Sequence, residues 1–184
     1  MKKIIIIIIL LLTQSLLFAQ QEDKGTPLSI GYMGQFGIHP GLKIGTAFSL
    51  TSWDNSSRFQ DLILSPQIGV FSYRGYNTNV LLLPEIGLRR QKAGKKAYSI
   101  LGAGIGYMLQ IEILTTTPNF NGEITSIKRE TRSLAAWSLS YTLGREIRPS
   151  LDFYAKTSYG SSVSGSIESS ALVLFELGLT KYLN

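Results

Sequence analysis

The chain has 184 residues, no cysteine and one histidine, His39. Without cysteine there is no disulfide framework, no thiolate for a metal site, and no anchor point for the lipid of a bacterial lipoprotein. A single histidine removes multi-histidine metal centres and leaves one candidate base for a serine nucleophile, with no nucleophile-elbow motif to go with it. Helical spacing is missing too, because no stretch beyond residue 27 repeats apolar residues at three- and four-residue intervals. Long apolar runs are also scarce. The longest, Ile4 to Leu12, covers about nine residues where a membrane-spanning helix needs about 20.

That run follows Lys2 and Lys3 and leads into "TQSLLFAQ", the charge, apolar core and small-residue order of a secretory signal ending at Ala19. The expected organisation is a signal peptide at 1–19, a short extension at 20–27 and one domain at 28–184. Without Lys2 and Lys3, 16 basic residues face 12 acidic ones, a formal charge of +4. The basic residues cluster at Arg89, Arg90, Lys92, Lys95 and Lys96, and at Lys128, Arg129 and Arg132. In an exported chain such clusters suit anionic lipid or polysaccharide better than nucleic acid, and equally suit solvated turns.

Two-residue alternation is abundant. In "AAWSLSYTLG" one face takes Ala135, Trp137, Leu139, Tyr141 and Leu143, and the other takes Ala136, Ser138, Ser140, Thr142 and Gly144. A strand with these faces lies between an apolar phase and a polar or crowded one. A triplet of polar residue, large apolar residue and glycine recurs at Lys43-Ile44-Gly45, Gln67-Ile68-Gly69, Glu85-Ile86-Gly87, Thr142-Leu143-Gly144 and Glu176-Leu177-Gly178. Gln35-Phe36-Gly37 and Ser158-Tyr159-Gly160 are aromatic versions, and Gly104-Ile105-Gly106 is a glycine-substituted one. One face is thus broad and apolar, the other narrow, with glycine allowing backbones to curve and approach.

This pattern predicts eight strands at 28–39, 41–53, 62–73, 80–89, 98–114, 133–145, 151–160 and 171–183, with "HPG" at residues 39 to 41 as a turn. "ILSPQIGV" and "LLLPEIGL" place Pro66 and Pro84 inside two of them. Proline forfeits a ladder hydrogen bond, so both are expected to mark bulges. "GAGIGY", residues 102 to 107, falls short of a phosphate-binding fingerprint because Tyr107 stands where the last glycine belongs and no helix follows.

A barrel of eight strands has an interior only just wide enough for side chains. The bulky face must therefore look outward, and a continuous apolar exterior calls for lipid. The expected fold is all-β: a closed antiparallel up-and-down transmembrane β-barrel of about eight strands. The inward phase carries Lys43, Gln67, Glu85, Arg89, Gln110, Glu112, Asp152, Lys156 and Glu176. Buried charges need partners, so these residues are expected to form a salt-bridge and hydrogen-bond network that plugs the lumen; a narrow hydrated path is the alternative. Trp53, Tyr73, Tyr76, Tyr98, Trp137, Tyr159 and Tyr182 are candidates for aromatic belts.

A signal ending in "FAQ" and strands such as "GLKIG" and "FELGLTKYL" resemble the small eight-stranded outer-membrane β-barrels, particularly those of Bacteroidota-type bacteria. The resemblance covers residues 28 to 184. It implies an outer-membrane location, with outer-membrane lipid and the barrel-insertion machinery as partners. Many members end in an aromatic residue; this chain departs from that pattern, ending Tyr182-Leu183-Asn184. The expected role is structural or surface-interacting, with the loop at 115–132 available to a surface ligand, and without enzymatic activity, cofactor or metal. A narrow transport pore and a soluble lipocalin-like binder with inverted faces are the alternatives.

Overall fold

The computed structural model describes residues 25–35, 39–55, 57–73, 77–115, 127–163 and 169–183. Its elements are β1 (Thr26–Gln35), β2 (His39–Thr46), β3 (Phe48–Asn55), β4 (Arg58–Ser65), β5 (Gln67–Tyr73), β6 (Asn77–Leu82), β7 (Glu85–Lys92), β8 (Ala97–Thr115), β9 (Ile127–Arg148), β10 (Leu151–Val163) and β11 (Ser169–Leu183). The pairs β2 with β3, β4 with β5 and β6 with β7 are each one barrel strand interrupted at Ala47, Pro66 and Leu83-Pro84. Eight barrel strands result. Each pairs antiparallel with its sequence neighbours, and β1 pairs with β11 to close the sheet.

The stagger of that closure is legible in the register. Ile30 pairs with Ile44, Ile44 with Ile68, Ile68 with Leu82, Leu82 with Tyr107, Tyr107 with Ala135, Ala135 with Val163 and Val163 with Ser169. Because Leu174 is the partner of Gln35, one circuit advances about ten residues along the first strand, the shear that tilts strands around a closed barrel. One end of the barrel carries the start of β1, the end of β11 and the short turns after β3, β7 and β9 (the termini end). The opposite end carries the strand ends at Gln35, His39, Tyr73, Asn77, Thr115, Ile127, Val163 and Ser169 (the loop end).

The outward phase is apolar and exposed. Ile105 is 79% exposed and Leu101 65%, and Trp137, Leu139, Phe175 and Leu177 share that face. Inward residues include Glu85 at 6% and Glu176 at 3%. The inside is not polar throughout, however. Met33, Phe71, Leu81, Leu83, Met108, Leu134, Ala136, Leu172 and Leu174 form a buried cluster inside the loop half. A narrow face rich in small and polar residues therefore still accommodates aliphatic and thioether side chains, which fill its loop half by packing against one another.

The bulge reading of the prolines is corrected. The register of β4 and β5 against β6 and β7 runs unshifted from Arg58↔Lys92 to Tyr73↔Asn77, which sets Pro66 opposite Pro84. Thr46 N–H donates to the Pro66 carbonyl (3.1 Å) and Leu83 N–H to the Gln67 carbonyl (3.0 Å). Pro66 cannot return the bond it accepts from Thr46, because its nitrogen carries no hydrogen, and an extended chain tolerates that loss without inserting a residue. The inserted residues are instead Leu50 and Ile147, at register shifts in β3 and β9 near the termini end.

Other boundaries move as well. His39, Pro40 and Gly41 are strand, paired with Gln35, Gly34 and Met33. β4 starts at Arg58 and β9 at Ile127, so the turn before β4 and the loop before β9 are shorter than expected. Tyr98 and Tyr182 point inward, each 8% exposed, because they fall in phase with Gly144 and Gly178, and Tyr73, in phase with Phe71, packs against the buried cluster; none of the three is a belt residue. Tyr76, the expected signal segment at 1–19 and residues 116 to 126 lie outside the described residues.

Glycine provides room where two large inward groups would collide. Gly144 pairs with Tyr98, and a Cβ there would overlap the Tyr98 ring. Gly144→Val is expected to destabilise the barrel by about 1–3 kcal/mol through overpacking, read as a lower urea midpoint for the folded barrel. In a Tyr98→Ala background the same substitution should cost much less, because the two side chains contend for one space.

Candidate functional site: a charged brace across the lumen

Alternation brings Lys43 from β2, Gln67 from β5, Glu85 from β7, Lys156 from β10 and Glu176 from β11 to one level inside the barrel, all buried. Lys43 Nζ is paired with Glu176 Oε2 and donates to Gln67 Oε1 at 3.0 Å. Lys156 Nζ lies 2.8 Å from Glu85 Oε2 and 3.8 Å from Glu176 Oε1, and donates to Gln67 Oε1 at 3.3 Å. Ser138 and Ser140 of β9 donate to the two Glu85 carboxylate oxygens at 3.3 and 3.0 Å. Two cations face two anions, with the serine hydroxyls satisfying further acceptor positions and the Gln67 side-chain carbonyl further donors. The charges are compensated within the site, as burial requires.

The register explains why such long side chains fit. Lys43 is flanked by Gly31 and Gly69, Gln67 faces Gly45, and Glu85 faces Gly104. A Cβ at Gly104 would meet Glu85 Cγ at 2.7 Å and the Pro84 carbonyl at 2.8 Å. The recurring triplet thus supplies, strand by strand, one polar group and the clearance its neighbour needs.

Nearer the termini end is a second layer. The Arg89 guanidinium stacks 4.2 Å from the Tyr98 ring centre, and the Tyr182 hydroxyl donates to Asp152 Oδ2 at 3.0 Å. Asp61 is buried beside it and accepts from the Ser49 hydroxyl. Between this layer and the charged brace lies a cavity of about 110 Å³, lined by Lys43, Glu85, Arg89, Tyr98, Lys156 and Tyr182 among others. The apolar cluster lies beyond the brace on the loop side.

Of the nine expected lumen residues, Arg89 and Asp152 belong to this second layer and are separate from the brace. Gln110 and Glu112 sit at the loop end, partly buried, with Glu112 3.7 Å from Arg132. Sequence reasoning did not single out Ser138 and Ser140, although both lie on the polar face of "AAWSLSYTLG". It missed Asp61, Tyr98 and Tyr182 because Asp61 was assigned to a turn and both tyrosines to aromatic belts. His39 stacks on Tyr73 with ring centres 3.7 Å apart. Among the described residues no group of three or more His, Cys, Asp or Glu is placed to hold a metal ion.

No family model matches this chain, and no curated protein matches it. Solved structures do. The crystal structure of the outer membrane enzyme PagL is similar with a TM-score of 0.51 and 12% identity, covering 86% of this chain and 99% of that one. The N-terminal β-barrel domain of Pseudomonas aeruginosa OprF gives 0.48 and 13% over 85% and 97% of the two chains. The Yersinia pestis outer membrane protein Ail gives 0.35 and 12% over 85% and 97%. At these identities the likeness to PagL concerns the fold alone, a closed eight-stranded antiparallel barrel.

Removing one member of the brace strands a buried charge. Lys156→Met is expected to cost about 3–5 kcal/mol, measured by urea unfolding of the refolded barrel in detergent. Adding Glu85→Gln should recover much of that loss, since no orphan carboxylate then remains. Equal instability of the single and double variants would show that the pair is not coupled.

Proposed function

We propose that the protein is a non-enzymatic outer-membrane barrel with an occluded lumen, whose role is structural or surface-interacting. The observation that carries this reading is the inversion of faces: the bulky apolar side chains point outward around the barrel while the ion pairs are inside. Outward apolar positions run from Leu101 to Leu109 on β8 and from Ala135 to Leu143 on β9, close to the about 9–11 residues with which a tilted strand crosses a bilayer. Exposed to water, that surface would far exceed the apolar patch a soluble protein carries. A lipocalin-like binder needs the opposite arrangement, with its apolar side chains lining the interior.

Occlusion rests on two stacked layers, the charged brace and the apolar cluster. The termini-side cavity favours a narrow pore as the second reading, but it leads toward groups already paired with one another. PagL is described as an enzyme; at 12% identity that property is not carried to this chain.

A surface role is supported by the longest hairpin. β8 and β9 remain paired out to Thr115↔Ile127, whereas β6 reaches β8 only as far as Glu112 and β10 leaves β9 at Ala135. The hairpin therefore projects past its neighbours at the loop end. With an even number of strands, both termini share one side, taken here as periplasmic, and the hairpin faces out of the cell.

Two measurements test this reading. In planar bilayers the purified barrel is expected to give no steady channel openings; sustained conductance would favour the pore. An epitope inserted within residues 116 to 126 should be labelled on intact cells, and one inserted at Gly94 only after permeabilisation. The reverse pattern would invert the assigned orientation.

A further inference from the structure

Basic side chains encircle much of the termini end, and the fold does not use them inside. Arg90 on β7, Arg145 on β9 and Lys181 on β11 are exposed and in the outward phase, where the next outward position toward the barrel centre is Leu88, Leu143 and Leu179 respectively. Each strand thus changes from leucine to cation in a single outward step. Lys92, Lys95, Lys96 and Arg148, in or beside the adjoining turns, are exposed as well. Gly94, at φ 69°, turns the chain between two of these lysines.

The pairing sets these cations at intervals along one arc. Arg58 is opposite Lys92, Arg90 opposite Ser99, Ala97 opposite Arg145, Arg148 opposite Leu151 and Leu151 opposite Lys181. Acidic residues are few here: among the described residues outside the lumen this end has Asp54 and Glu146. The loop end differs, since Arg132 there lies 3.7 Å from Glu112 and 3.5 Å from Glu130.

We propose that this arc is a binding surface for the headgroups of anionic phospholipids in the leaflet that surrounds the termini end. The inference rests on the membrane reading above and adds a ligand class and a location. Its physical basis is height: guanidinium and ammonium groups just beyond an apolar band meet the phosphate level of the leaflet, where each contributes attraction to an anionic surface. Arginine can also hold a phosphate through two parallel hydrogen bonds. An excess of cations spread over β7, β9, β11 and the turns between strands favours several anionic lipids side by side over one chelated ion.

The test reconstitutes the full barrel in phosphatidylcholine vesicles and measures, by electron spin resonance, the motionally restricted fraction of spin-labelled phosphatidylglycerol against spin-labelled phosphatidylcholine. The expected preference for phosphatidylglycerol is about threefold at low salt, shrinking as salt rises. Arg90→Gln/Arg145→Gln/Lys181→Gln should bring the ratio close to one, Arg90→Lys/Arg145→Lys should largely keep it, and Arg132→Gln at the loop end should leave it unchanged. Heat-modifiable migration checks that each variant is folded; should the triple variant fail, Arg145→Gln and Lys181→Gln alone are each expected to lower the ratio in part. Equal restriction of the two lipids by the native barrel, or a preference that survives loss of the arc, overturns the proposal while leaving the membrane reading intact. A barrel that does not float with vesicles at all overturns both.

Discussion

Closing eight strands on themselves leaves an interior so narrow that each inward side chain is chosen against its neighbours' volume. Most of what distinguishes this chain follows from that constraint. Tyr98 inside needs glycine at 144, Tyr154 needs glycine at 178, and Glu85 needs glycine at 104. The outward face has no such restriction and takes leucine, isoleucine, tryptophan and tyrosine freely. The two faces therefore separate by size before they separate by polarity, which is why the polar-apolar-glycine triplet recurs across strands that otherwise share little sequence.

Polarity then divides the lumen along its length. The brace links β2, β5, β7, β9, β10 and β11 through Lys43, Gln67, Glu85, Ser138, Ser140, Lys156 and Glu176. On the loop side its neighbours are aliphatic and aromatic, so the ion pairs are screened from water there. On the termini side they border a cavity and then the Arg89, Tyr98, Asp152 and Tyr182 layer. Low local dielectric strengthens the pairs and equally raises the penalty for any unmatched charge. The Tyr154 hydroxyl, which lines that cavity, has no hydrogen-bond partner among the described residues.

Much of this was legible in the alternation. The phase assigned to "AAWSLSYTLG" and to residues 101 to 109 is the one the fold adopts, and the eight strands are found within about four residues of their expected bounds, except that β9 begins six residues early at Ile127 and that residues 36 to 38 lie outside the described residues. What period-two reasoning could not supply was height. It put Lys43 and Gln110 on the same inward face without indicating that one meets Glu176 and the other lies at the loop end, because height depends on the cumulative stagger of eight registers. It also read three tyrosines, Tyr73, Tyr98 and Tyr182, by residue type and not by phase. The prolines were misjudged for a related reason: the sequence shows that a donor is absent, but only the pairing reveals that Pro66 and Pro84 face each other and that their nitrogens look away toward different neighbours.

The brace also bears on why this chain adopts one register. An antiparallel strand slipped by one residue exchanges its two faces. In a barrel whose inside and outside were both apolar, such a slip on β2 or β11 would change little but packing. Here the same slip would carry Lys43 or Glu176 to the exterior, where, on the membrane reading proposed above, a lysine at mid-bilayer depth costs about 2–4 kcal/mol and a carboxylate somewhat less, and would strand its former partner inside. An ion pair in a low-dielectric interior adds little net stability over well-packed hydrocarbon. Its value lies in the difference it creates between the correct pairing and the pairing one residue away, and that difference is felt on every strand that contributes to the brace.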